Sequence, residues 1–206
     1  MIARLEGVLR DVKPTCVVID VGGVGYEVHI PLSTFTELPE EGEPAVLRVY
    51  TYMRDGVSQL FGFISESERA AFALLLRASR VGPRLAQTVL SGISPAELLE
   101  AIELGKVAVL RAAPGIGSKL AERILLELRD RTGELAASLA AAGEIAAPAP
   151  ADNPSTTSLG QALSALLNLG YTKQQADLAL TRAAQEEGDD ATLEGLVRGS
   201  LRVLMK

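Results

Sequence analysis

Apolar and polar residues alternate with a period of two through the first 64 positions of the chain, which is typical of half-buried β-strands. Five short runs rich in β-branched residues predict strands at Ile2–Val12, Thr15–Val21, Gly25–Pro31, Ala45–Met53 and Ser58–Phe63. The turn residues between them are Pro14, Gly22-Gly23 and Asp55-Gly56. Before the fourth strand, the pattern predicts one or two helical turns at Ser33–Leu38, with Ser33 as N-cap. Five strands with this helix favour a small closed barrel of the OB type, with an SH3-like barrel as the alternative.

The period changes to 3.6 residues from Glu66 to about Leu139, which predicts helices. Ala70, Leu74 and Ala78 mark one apolar face, and Ser94 and Ser118 are expected as N-caps or early-turn residues. The segment that follows is rich in proline and alanine and has no apolar face, so we expect a mobile linker beyond about Gly143.

Three short amphipathic helices are predicted after this linker, at Leu159–Leu169, Lys173–Ala184 and Leu193–Leu204. Gly170 is expected to end the first helix, Thr172 to cap the second, and Asp190 or Thr192 to begin the third. About 48 residues of this kind can form a small three-helix bundle.

An internal repeat with an offset of 35 residues lies in the helical segment. Residues 75–90 read LLRASRVGPRLAQTVL and residues 110–125 read LRAAPGIGSKLAERIL, with six of sixteen positions identical. A solenoid needs at least three copies, so two copies favour a pseudo-twofold pair.

Each copy predicts a helix, a tight glycine turn and a second helix. Gly82 and Gly117 come just before the second helix, where backbone amides lack partners and the helix dipole is positive. Arg84 and Lys119 follow two residues later. Such a turn can bind a phosphate, and two related turns can grip both strands of a duplex across its minor groove. The alternative is a pair of ordinary helix-linking turns with solvated cations.

The charge and composition limit the other possibilities. The net charge is −6, yet residues 65–140 hold 10 of the 20 Lys and Arg residues. One cysteine and one histidine exclude a disulfide framework and a Cys/His zinc site, and no Walker phosphate loop is present. No apolar run is long enough to span a membrane and the start does not read as a signal peptide, so we expect a soluble intracellular protein.

Several stretches together form a specific combination: MIARLEG at the start, VGGVGYEVHIP at 21–31, FGF at 61–63, the VGP and PGIGSKLAER turns, and LGY at 169–171. Over essentially the full length, this combination resembles the RuvA family of bacterial Holliday junction branch migration subunits. The resemblance implies an α+β multidomain fold. Its parts are an OB-fold domain at 1–64 for tetramerisation and the junction centre, a double helix-hairpin-helix domain at 65–142, a flexible linker at 143–157, and a three-helix, UBA-like domain at 158–206 that binds the RuvB motor.

The resemblance further implies a homotetramer, two of which can sandwich the junction as an octamer. It implies a non-enzymatic subunit without a cofactor that holds a four-way junction open and planar, with the ATPase in RuvB and the RuvC resolvase acting on the same junction. The expected location is the bacterial cytoplasm, at the nucleoid. The competing hypotheses are a helix-hairpin-helix DNA repair nuclease and a protein-interaction adaptor.

The residues that this family would place on DNA can be named from the matching motifs. They are Arg54, Arg80, Val81, Gly82, Arg84, Gly115, Ile116, Gly117, Lys119 and Arg123. The family's acidic pin, usually two carboxylates after an arginine, matches Arg54, Asp55 and Gly56, so only one acid is present. Arg80 occupies a position where glycine is common, and Ser118 one where lysine is common. We therefore expect somewhat weaker or differently salt-dependent DNA binding.

Overall fold

The computed structural model describes residues 1–54, 56–145, 158–187 and 192–204. They divide into two compact units, Met1–Ala147 and Pro148–Lys206. The first unit holds a β-barrel followed by helices, and the second holds three helices. Asp55, Asp190 and most of the expected linker lie outside the described residues.

A closed five-stranded barrel forms the first part of the chain. Its strands run in the order β1-β2-β3-β5-β4, and the parallel pairing of β3 with β5 closes it. This topology confirms the OB-type prediction and excludes the SH3-like alternative. The elements are β1 Arg4–Lys13, β2 Cys16–Val21, β3 Val24–His29, α1 Leu32–Glu37, β4 Pro44–Arg54 and β5 Val57–Phe63.

The barrel core follows from the period-two pattern. Every second residue of a strand points inward, so β1, β2 and β4 each deliver an alternating set of aliphatic side chains. The buried set is Leu5, Leu9, Val17, Ile19, Val28, Ile30, Ala45, Leu47 and Val49.

The expected N-cap of the short helix is wrong. Helix α1 begins at Leu32, its N-cap is Pro31, and no side chain caps it. The Ser33 hydroxyl donates instead to Glu68 Oε1 at 2.5 Å, and Glu68 Oε2 accepts from Thr34 Oγ1 at 3.0 Å. A tertiary partner 35 residues away thus competes successfully with the local capping bond.

Six helices follow the barrel within the described part of the first unit, together with a 3-10 turn at Arg129–Arg131. Ser94 caps α4 in a reciprocal capping box with Glu97, as expected. Ser118 is the first residue of α6, whose N-cap is Gly117. The bounds are α2 Glu66–Leu75, α3 Pro83–Leu90, α4 Pro95–Leu104, α5 Val107–Arg111, α6 Ser118–Leu128 and α7 Gly133–Ala142.

The last barrel strand and the first long helix share one core, which fixes the helices on the barrel. Phe72 of α2 stacks on Phe61 with ring centroids 4.9 Å apart and contacts Phe63 at 5.0 Å. Helix α3 is tied down separately, because Gln87 Nε2 donates to the backbone oxygen of Ile30. The barrel and the two turns of the repeat therefore have a defined relative position.

The second unit contains three helices: α8 Ser158–Asn168, α9 Lys173–Glu187 and α10 Leu193–Leu204. Gly170 adopts φ +94° just after α8, and Thr172 accepts from Gln175 N at 3.4 Å at the start of α9. Thr192 accepts from Gly195 N at 3.2 Å, so Thr192 caps α10. None of the helices in these described residues is long and apolar enough to cross a membrane.

Candidate nucleic-acid interface

The two copies of the repeat have the same conformation. In each, an amide two residues before the second helix closes a tight turn: Val81 N donates to Ala78 O, and Ile116 N donates to Ala113 O, both at 3.2 Å. The glycine that follows is the helix N-cap in both copies, with φ −96° at Gly82 and −86° at Gly117. The duplication seen in the sequence is thus a duplication of structure.

Each turn also contains one residue in the left-handed region. Gly115 has φ +89°, and its counterpart Arg80 has φ +66°. An L-residue in this region costs about 1–2 kcal/mol. The first turn nevertheless has the shape of the glycine turn, although an arginine occupies this position. The common conformation is set by the surrounding turn.

The side chains of Val81 and Ile116 are buried, with exposed fractions of 7% and 6%. Both belong to the large core shared by the helices and the barrel. Because their amides are used within the turns, these two residues anchor the turns.

Free amide donors cluster at the start of α3 and α6. The first amides of a helix have no intrahelical acceptor. Within the described residues, no hydrogen bond uses the amides of Gly82, Arg84, Leu85, Gly117, Ser118 or Lys119. Both glycines are exposed, and a Cβ added at either would meet nothing within 4 Å, so a ligand has room to approach the backbone.

Three cations lie beside these amides without a counter-ion. Arg80, Arg84 and Lys119 are exposed, and none pairs with an acidic residue in the described part of the chain. Arg123 is also exposed, but its Nε lies 3.8 Å from Glu127 Oε1. Unpaired cations next to free amides are suited to bind a polyanion.

The structure also brings Arg54 to the first turn. A groove of about 600 Å³ lies between the end of the β4–β5 ribbon and the start of α3. It is lined by Tyr52, Arg54, Val57, Gln59, Gly82, Pro83, Arg84 and Leu85. The barrel therefore continues the cationic surface of the first hairpin.

The proposed pin residue Asp55 lies outside the described residues, although its neighbour Gly56 is described with φ +79°. Two acids in the first turn of α2, beyond the other end of β5, have contacts of their own. Glu66 pairs with Arg69, and Glu68 is buried against α1, where it also accepts from Ile64 N at 3.2 Å. Both carboxylates are therefore engaged in contacts at the start of α2.

Sequence reasoning missed the contacts that connect the two hairpins. Ser79 N donates to Glu127 Oε2 at 2.7 Å across 48 residues. The amide of Ser79 lowers the pKa of the Glu127 carboxyl below its ordinary value, because it stabilises the charged form. On the other side, a Cβ at Gly115 would lie 3.4 Å from Leu85 Cδ1. The only local signal was the spacing of Arg123 and Glu127, four residues apart on one helix.

The described residues contain no group of three or more His, Cys, Asp or Glu side chains placed to hold a metal ion. The groups exposed at the two turns are backbone amides, guanidinium groups and an ammonium group. These groups bind phosphate oxygens and carry little base-sequence information.

The closed OB-type barrel and the two equivalent turns define a class of protein: an OB-type barrel joined to a tandem helix-hairpin-helix. The family models that match the chain describe the same combination. The RuvA N-terminal domain matches residues 1–62, a SAM-like helix-hairpin-helix tandem matches 72–130, and the RuvA C-terminal domain matches 157–205.

Curated relatives cover the whole chain. The protein from Pelobacter propionicus is 43% identical over 206 residues, covering 100% of both chains. That from Syntrophobacter fumaroxidans is 44% identical over 204 residues, covering 99% of this chain and 100% of the relative. The Escherichia coli O9:H4 protein is 38% identical over 206 residues, covering 100% of both. Each relative is named Holliday junction branch migration complex subunit RuvA. The chain belongs to the RuvA family.

Proposed function

We propose that this protein is a non-enzymatic Holliday junction-binding subunit that holds the four arms open and planar and recruits a RuvB-type motor for branch migration. The names of its full-length relatives support this role. The site of action is chromosomal DNA in the bacterial cytoplasm, where a RuvC-type resolvase would meet the same junction.

The observation that carries the proposal is the pair of equivalent turns. Each offers free amides at an exposed glycine and at least one unpaired cation two residues later. These groups fit two backbone phosphates, and two such turns on one compact unit fit the two strands of one duplex arm. The DNA-facing residues would be Arg54, Arg80, Gly82, Arg84, Gly115, Gly117, Lys119 and Arg123, with Val81 and Ile116 holding the turns.

Junction selectivity requires several copies, because one duplex-binding unit has no preference for a branch. A homotetramer around the barrels of residues 1–64 places four helix-hairpin-helix domains, residues 65–142, on four arms. Asp55 would then contribute four carboxylates at the centre, where negative charge repels phosphates and keeps the strands apart.

The helices of the second unit are assigned to the motor. Residues 158–206 would bind RuvB, and the linker at 143–157 would connect them to the junction-binding part of the chain. The position of the motor could then change while the junction is held. Deleting residues 158–206 should leave junction affinity unchanged and abolish RuvB-driven branch migration. A loss of junction binding in the deleted protein would contradict this assignment.

The central test is a gel-shift comparison at stated salt between a four-way junction and a linear duplex with the same arm sequence. We expect tighter binding to the junction. Equal affinity for the two substrates would refute junction selectivity. Cleavage of the junction by the purified protein with Mg²⁺ would refute the non-enzymatic assignment and favour a nuclease.

A further inference from the structure

Glu127 holds the first hairpin turn from the helix of the second hairpin. We infer that Glu127 is a positioning residue for DNA binding, which acts by fixing the turn that carries Arg80, Gly82 and Arg84. This inference rests on the proposed function, since it concerns how the same DNA surface is kept in shape.

The contact is short and joins distant parts of the chain. Glu127 Oε2 accepts from Ser79 N at 2.7 Å, and Ser79 is the residue directly before Arg80. The remaining oxygen, Oε1, lies 3.8 Å from Arg123 Nε. One carboxylate therefore contacts the first turn and a cation of the second hairpin.

Only the first of the two turns can form this hydrogen bond to a carboxylate. The counterpart of Ser79 in the second copy is Pro114, which has no amide hydrogen to donate. The second turn needs no such bond for its left-handed residue, because that residue is Gly115. The first turn has a strained arginine at this place, and the bond from Glu127 lies immediately beside it.

The inference can be tested by the direction in which DNA affinity changes when the negative charge of Glu127 is removed. A carboxylate beside a phosphate-binding surface repels DNA, so electrostatics alone predicts that its removal strengthens binding. A positioning role predicts the opposite for a variant that loses the acceptor oxygen. Gln at this position separates the two effects, because it loses the charge and keeps an acceptor for Ser79 N.

The experiment compares E127A, E127Q and the matched control E122A in the full-length protein. Glu122 is exposed on the same helix and makes no ion pair within the described residues, so E122A removes the same charge without touching the turn. We expect E127A to bind a four-way junction at least about threefold more weakly than E127Q. E127Q and E122A should bind as tightly as the wild type or more tightly.

Two further readouts separate positioning from a general loss of structure. Hydrogen exchange at the Ser79 amide should be faster in E127A than in E127Q, while amides in the β-barrel keep their rates. The salt slope of binding should stay close to that of the wild type in E127A, because every cation of the surface is retained. If the wild type prefers the junction but E127A, E127Q and E122A all bind it with the same affinity, the inference about Glu127 is wrong and the proposed function stands. A wild type without junction preference would overturn the proposed function as well.

Discussion

Replacing the unpaired cations of both turns together is the most direct test of the DNA surface. The variant is Arg84→Ala with Lys119→Ala, which removes one cation two residues after each glycine N-cap. Both side chains are exposed and have no acidic partner in the described residues. Their loss should therefore cost little folding stability and act mainly on DNA binding.

The magnitude follows from counterion release. Each phosphate neutralised on duplex DNA contributes about 0.9 to the slope of log affinity against log salt. Two lost contacts should reduce the magnitude of the slope by about 1.8 for each subunit that engages an arm. The free amides at Gly82 and Gly117 remain, so residual binding with a shallower salt dependence is expected.

The assay is fluorescence anisotropy of a labelled four-way junction over roughly 50–200 mM salt, the range in which phosphate contacts dominate affinity. The matched control is Arg77→Ala with Lys106→Ala, which changes the net charge equally. These residues already pair with Glu134 at 3.1 Å and Glu100 at 2.6 Å. A double variant at 84 and 119 with the wild-type slope, or one no different from the control, would refute the assignment of the two turns.

Three further predictions concern the turns and their helices. The free energy of unfolding should be about 1 kcal/mol higher for Arg80→Gly than for Arg80→Ala, because only glycine is unstrained at φ +66°. Both variants should lower the magnitude of the salt slope by about 0.9, because both lose the same cation. Equal urea midpoints for the two variants would contradict the strain at this position. Ser94→Ala should lower the unfolding free energy by about 1 kcal/mol through loss of the capping box, whereas the control Ser118→Ala, which removes no capping bond, should change it by less than about 0.5 kcal/mol. The Ser94 amide and hydroxyl lower the pKa of Glu97 below 4.5, so its stabilising effect is present above that pH and is lost as pH falls through the folded pKa. Urea unfolding of Glu97→Gln should therefore show a smaller loss of stability on acidification than the wild type.

Features that depend on local chemistry could be predicted from the sequence. The strands, the helix caps at Ser94 and Thr172, and the left-handed Gly170 all follow from residues within one or two turns of each other. The repeat was equally accessible, because the equivalence of Gly82 and Gly117 needs only the 35-residue offset. Both residues are helix N-caps in the same conformation.

Features that depend on distant partners could not be predicted in this way. Ser33 has the side chain of an N-cap, but its hydroxyl bonds to the buried Glu68, which is brought near only by the packing of α2 on the barrel. The bond from Ser79 to Glu127 spans 48 residues and has no signature in the sequence around Ser79. The groove that joins Arg54 to Arg84 likewise arises only when α3 is fixed on the barrel.

The left-handed arginine shows how the local and distant features combine. Taken alone, Arg80 would favour a different turn, since the left-handed region costs an L-residue about 1–2 kcal/mol. Two buried residues, one on each side of Arg80, oppose that change. Ala78 and Val81 both lie in the core, and Val81 N donates a hydrogen bond to Ala78 O at 3.2 Å. The bond to Glu127 fixes the amide of Ser79, directly before the strained residue. The turn is thus held at three points around the strained residue, and such over-determination is what allows an unfavourable backbone conformation to persist. The first turn therefore carries a guanidinium group at the position where Gly115 of the second turn has only a hydrogen atom, which adds one cation to the proposed DNA surface.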